Sequence, residues 1–148
     1  MVQLNVVRAY GNALVEKQFV TAVFVGGTSG IGEYSLRALA SMHGTSGQGL
    51  RVYLVGRNET AASTIINDCR KVCPAGEFQF MRASDLACLR EVDRVCKEIV
   101  GIEEARAGEK PACIDLLVLT QAYFAFGGKL ERHGTVNYNS LISLTPHC

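Results

Sequence analysis

Apolar and polar positions along the chain fall into alternating blocks of two kinds. Residues 20–26, VTAVFVG, form a continuous apolar run closed by glycine, which predicts a strand buried on both faces. LRVYLVG at 50–56, FQFMRA at 78–83 and CIDLLVLT at 113–120 read the same way. Between these runs apolar residues recur at helical spacing. Ile31, Ser35, Ala38, Leu39 and Met42 share one face, and Gly44 is a natural stop. Ala62, Ile65, Ile66, Cys69, Val72 and Cys73 line a second helix that Asn58 caps and Pro74 ends. Leu89, Val92, Cys96 and Ile99 line a third, with Asp85 as its cap and Gly101 after it. GTSGQG, 44–49, is a turn, and EEARAGEKP, 103–111, a charged loop.

The order is β-α-β-α-β-α-β after an N-terminal extension, 1–19, that is compatible with a helix. Fully apolar strands separated by amphipathic helices predict an α/β fold with a parallel sheet covered on both faces. Right-handed crossovers then favour a Rossmann-type doubly wound sheet, incomplete at about four strands, in order 3-2-1-4. The pattern stops near residue 128, and 129–148 reads as an irregular tail in which NSLISL is a short strand or a packed end. No further strand is evident beside the run at 113–120, so one sheet edge is expected to lie open or under the tail.

Composition narrows the functional classes. The 148 residues are 48% hydrophobic and 20% charged, with net charge +1, as expected of one compact domain. No basic stripe or acidic tail suggests nucleic acid or an anionic membrane as partner. The first residues lack the pattern of a secretory leader, and no run reaches the ~20 apolar residues of a membrane helix. A cytoplasmic protein is expected. Six cysteines stand at 69, 73, 88, 96, 113 and 148. Cys69 and Cys73 have a spacing metal ligands use, but no second pair accompanies them, so they read as buried reduced thiols and no metal is expected.

The chemistry concentrates in VFVGGTSGIGEY, 23–34. At the end of a strand, Gly26 permits a sharp turn, Gly30 lets backbone approach a ligand closely, and Gly32 lets the following helix pack tightly. Free amides and the positive helix end then face a pyrophosphate, with Thr28 and Ser29 adding hydroxyls. No Gly-Lys-Ser/Thr follows, which excludes a Walker-type loop. An NAD site needs a carboxylate at the end of the second strand; here Gly56 and then Arg57 stand there. With no acid to repel a 2′-phosphate and a guanidinium to bind it, NADP(H) is favoured over NAD(H). The alternative is that Arg57 is a solvated loop residue.

These residues resemble the short-chain dehydrogenase/reductase family, whose signature Thr-Gly-x-x-x-Gly-x-Gly is matched in all three glycines by VGGTSGIG, 25–32, with Val25 for threonine. The phrase AVFVGGTSGIGEY is similar to that of fungal secondary-metabolism members. The resemblance covers roughly residues 1–128 and implies an NAD(P)-binding domain in which the first helical turn, Ile31 included, lies on the cofactor. SDL, 84–86, resembles the family's step after the third strand, which implies that Asp85 and Leu86 flank the adenine; a helix cap is an equally good reading of Asp85. LTQA, 119–122, stands where the family has Asn-Asn-Ala-Gly and matches it poorly.

The family's chemistry rests on Tyr-x-x-x-Lys and a serine. Four residues after Tyr10, Tyr34, Tyr53, Tyr123 and Tyr138 stand Leu14, Ala38, Arg57, Gly127 and Ile142, none of them lysine. Tyr138, with Ser140 and Ser143 beside it, lies nearest the expected region but has no base. No catalytic residue is nominated. The resemblance therefore implies hydride transfer between NADP(H) and a small-molecule carbonyl or alcohol, in a chain truncated before its catalytic residues. The alternatives are a non-catalytic dinucleotide-binding or partner-binding module and a nonfunctional remnant. Substrate and oligomeric state are not legible.

Overall fold

A computed structural model describes residues 3–107 and 113–121. Eight elements alternate along it: α1 (Leu4–Lys17), β1 (Val20–Val25), α2 (Gly30–His43), β2 (Leu50–Gly56), α3 (Glu59–Val72), β3 (Glu77–Arg82), α4 (Leu89–Ala107) and β4 (Leu116–Leu119). The strands form one sheet in the order β3-β2-β1-β4, the order expected. All three pairings are parallel: Val20 to Val25 lie opposite Leu50 to Val55, Ala22 to Val25 opposite Leu116 to Leu119, and Arg51 to Gly56 opposite Glu77 to Arg82. Parallel pairing requires crossovers, and each is a helix. The expected architecture is present, a Rossmann-like sheet of four strands. The extension at 1–19 contains α1, and the tail at 129–148 lies outside the described residues.

Strand alternation sends side chains to two cores. Phe24, Leu54 and Phe78 pack with Leu36 and Ala40 of α2 and Ile65 and Cys69 of α3. Val23, Tyr53, Val55 and Met81 pack on the other face with Val95 and Ile99 of α4. β1 is buried along its whole length, which explains its unbroken apolar sequence. Burying each such large side chain is worth about 1.5–3 kcal/mol. Burial raises the Cys69 and Cys73 thiols above their ordinary pKa.

Four local expectations are corrected. The inward face of α2 is Gly32, Leu36, Ala40 and His43, with Leu39 half-buried; Ile31 is 76% exposed. The helix begins so close to the sheet that its small residues, not its first large one, must face inward. On α3, Ala62, Ile65, Ile66 and Cys69 are buried as expected, and Cys73 caps the end, but Val72 faces outward. Asp85 does not cap α4, which starts at Leu89; its Oδ1 instead accepts from Ala87 N at 2.9 Å. Finally, α4 does not stop at Gly101 but runs to Ala107, and its inward stripe is Val92, Val95 and Ile99, with Leu89 exposed and Cys96 half-buried.

Candidate functional site

The segments that follow β1, β2 and β3 all leave the carboxyl edge of the sheet, because the three strands are parallel. The first is the glycine loop. Gly26 has φ +82, a region that excludes most side chains, and its N–H donates to Val55 O at 2.9 Å. A Cβ on Gly32 would overlap Thr120 Oγ1 and lie 2.8 Å from Gly27 Cα and 2.9 Å from Gly26 O. Only glycine lets α2 come this close to the loop it grows from. Gly30 is the opposite case: its φ is +56, and a Cβ there would meet nothing within 4 Å among the described residues.

Ser29 is the residue before α2, in extended conformation, and its side chain makes no capping hydrogen bond. The first amides of a helix have no partner within it, so those of Gly30, Ile31 and Gly32 also lack a side-chain cap. The positive end of the helix dipole adds to their pull on an anion. Glu33, the acid of this turn, is met by Arg37 Nε at 2.9 Å, which tempers its repulsion.

At the end of β2, Thr28 packs over Gly56: a Cβ on Gly56 would lie 2.8 Å from Thr28 Cγ2. The strand therefore ends without a side chain, and Arg57 follows, exposed and with no ion pair among the described residues. Asn58 then caps α3, accepting from Ala61 N at 3.0 Å. After β3 the loop is pinned. Ala83 N donates to Gly56 O at 2.9 Å, and Ser84 N donates to Glu91 Oε1 at 3.0 Å. The Arg94 guanidinium, with that Ser84 amide, holds the Glu91 carboxyl down at about 2. Asp85 is exposed, and Leu86 is half-buried against the Val23 and Val55 core.

Two contributors were not anticipated. Gly27 is buried, and a Cβ there would lie 2.5 Å from Leu54 Cδ1; the doubled glycine at 26–27 was the available signal. Thr120 donates from Oγ1 to Val25 O at 3.1 Å and lies against Gly32, locking β4 to the root of α2. Nothing in the spacing of LTQA marks that contact. Ala122 and the Tyr138, Ser140 and Ser143 group lie outside the described residues. Tyr53 is fully buried with its hydroxyl committed to Glu103, and burial, then that carboxylate, raises its pKa well above the ordinary value. Among the described residues no group of three or more His, Cys, Asp or Glu side chains could hold a metal ion, and no helix is long and apolar enough to cross a membrane.

An uncapped helix end, an open glycine at its root and a carboxylate-free strand end are suited to hold a phosphorylated ligand across the sheet edge. Comparison with known proteins agrees with the fold and the lineage. No family profile matches the chain. It is 41% identical over 130 residues to the short-chain dehydrogenase/reductase SAT2 of Stachybotrys chartarum, covering 87% of this chain and 37% of that protein. It is 31% identical over 138 residues to oxidoreductase AN1596 of Emericella nidulans, covering 93% of this chain and 38% of that one. The chain thus spans less than two-fifths of the length of these curated relatives. Among solved structures, YwfH, an NADPH-dependent reductase involved in bacilysin biosynthesis, shares the fold with TM-score 0.50 over 68% of this chain and 34% of its own, at 19% identity.

Proposed function

We propose, for a chain that belongs to the short-chain dehydrogenase/reductase family, that residues 1–128 are a dinucleotide-binding domain serving NADP(H)-dependent oxidation or reduction. The observation that carries this reading is the first turn of α2, uncapped by Ser29 and standing over an open Gly30. In this reading the amides of Gly30, Ile31 and Gly32 bind the pyrophosphate, and the Thr28 and Ser29 hydroxyls assist. Gly26 gives the loop its turn. Arg57 binds the 2′-phosphate, which no acid at Gly56 repels. Asp85 and Leu86 border the adenine.

The bound cofactor supplies or accepts a hydride at the carbon of a small carbonyl or alcohol. The proton that must accompany it needs a donor, and none of the five tyrosines in these 148 residues has lysine four places on. An unassisted tyrosine, with pKa near 10, is a weak acid or base at neutral pH. These 148 residues by themselves are therefore read as binding cofactor without turning over substrate, in the cytoplasm. The same absence favours a second reading, in which the chain is not part of an oxidoreductase at all but a module whose role is dinucleotide binding itself.

Titration with NADPH and NADH tests the cofactor assignment. NADPH is expected to bind more tightly, and Arg57→Ala to erase most of that preference. Equal binding of the two by the parent chain would remove the role given to Arg57.

A further inference from the structure

We infer that Arg82, at the end of β3, is a second guanidinium for the 2′-phosphate; this rests on the NADP(H) reading above. The register pairs Gly56 directly with Arg82, so the two backbones lie about 4.8 Å apart. Alternation along β3 puts Arg82 on the same sheet face as Phe78 and Phe80, which pack with Leu54 on the α2–α3 side. Gly56, two residues beyond Leu54, belongs to that face too, and Thr28 contacts it there. Thr28 and Arg82 therefore flank one bare position on the strand that meets the adenosine ribose, and Arg57 follows it in the chain.

Charge sets Arg82 apart from most arginines of the fold. Arg37, Arg51 and Arg94 are paired with carboxylates, Arg106 is paired with Glu77, and Arg70 donates to Phe78 O at 3.2 Å. Among the described residues, the guanidiniums of Arg57, Arg82 and Arg90 have no such partner, and only Arg57 and Arg82 stand at neighbouring strand ends. Glu59 and Asp85, the acids nearest to them in the chain, pair with neither. The Arg82 backbone is itself held, since Arg94 Nη2 donates to Arg82 O at 2.5 Å. Two unpaired guanidiniums with no side chain between them match a phosphomonoester dianion, which offers three oxygens to forked donors.

The test is calorimetric titration of the full chain with NADPH and NADH, for the parent, Arg82→Ala, Arg82→Lys and Arg57→Ala. Arg82→Ala should weaken NADPH about ten- to a hundredfold, as for loss of a charged hydrogen bond, and leave NADH unchanged. Arg82→Lys should recover part of the loss. NADPH binding unchanged in Arg82→Ala, while Arg57→Ala loses it, would overturn the role of Arg82 and leave the NADP(H) reading standing. An equal loss of NADPH and NADH would overturn it too, by showing a structural effect. A parent chain that binds neither would remove both this inference and the reading beneath it.

Discussion

The Tyr53 hydroxyl, in the middle of β2, donates to Glu103 Oε1 on α4 at 2.5 Å. Arg51 Nη1 reaches the same carboxylate at 3.1 and 2.9 Å, and Arg51 Nε reaches Glu77 at 3.0 Å. Arg106 closes the cluster on Glu77. Glu103 is only 6% exposed, so its charge must be compensated inside the protein. The cluster fastens the last turns of α4 to the amino ends of β2 and β3, opposite the edge that carries the glycine loop. Tyr53→Phe should cost about 1–3 kcal/mol, because a buried carboxylate loses a donor. Glu103→Ala should cost at least as much, because Tyr53 loses its buried acceptor and Arg51 one of its two carboxylates, Glu77 remaining. Urea unfolding measures both, and a negligible cost for Glu103→Ala would show that the cluster does not hold α4.

That cluster also explains where the sequence misled. EEARA reads as a solvated loop because glutamate and arginine are ordinarily exposed, and Gly101 reads as a stop. A glycine inside a helix costs about 1 kcal/mol, which the anchored Glu103 offsets. The contacts of Glu103 with Arg51 and Tyr53 span 52 and 50 positions of chain and leave no local trace. The four strands and their order were legible because an apolar run bounded by turn residues has few other uses in an α/β chain. The face of α2 was not: periodicity weighs large residues, whereas Gly32 and Ala40 face inward because they are small. The turn made by the loop glycines was legible as a group, while Thr120 and Arg82 stand beside neighbours that only the sheet brings to them.

Two glycine substitutions should move stability in opposite directions. Gly101 lies within α4, and a Cβ there would meet nothing within 4 Å among the described residues. Gly101→Ala should stabilise the fold by about 0.5–1 kcal/mol through reduced freedom of the unfolded chain. Gly32→Ala would press against Gly27 Cα and Gly26 O, which are backbone and cannot swing aside. It should destabilise by about 1–3 kcal/mol. Thermal unfolding of the pair decides, and a neutral Gly32→Ala would mean that α2 can lift from the loop at little cost.

His43, at the end of α2, is 1% exposed; its Nδ1 hydrogen-bonds Leu39 O at 3.3 Å, and its buried Nε2 has no partner among the described residues. Burial holds its pKa below the ordinary value, against a smaller opposing effect of the Leu39 carbonyl. The folded chain therefore keeps a neutral imidazole where the unfolded chain has begun to take up a proton. Stability should fall as pH drops below about 6.5, by at most ~1.4 kcal/mol per unit, until the folded value is passed. Comparing His43→Leu with the parent from pH 7.5 to 5 isolates the effect. An unchanged slope in the variant would assign the loss to other groups.

The claim on which the functional account rests is that the first-turn amides of α2 receive a pyrophosphate. Amide chemical shifts of the isotope-labelled chain, followed by NMR during titration with NADPH, measure this directly. The account predicts the largest saturable changes at Gly30, Ile31 and Gly32, with further changes at Arg57. Saturable binding that leaves those three amides unmoved, or no binding at millimolar NADPH, would contradict it.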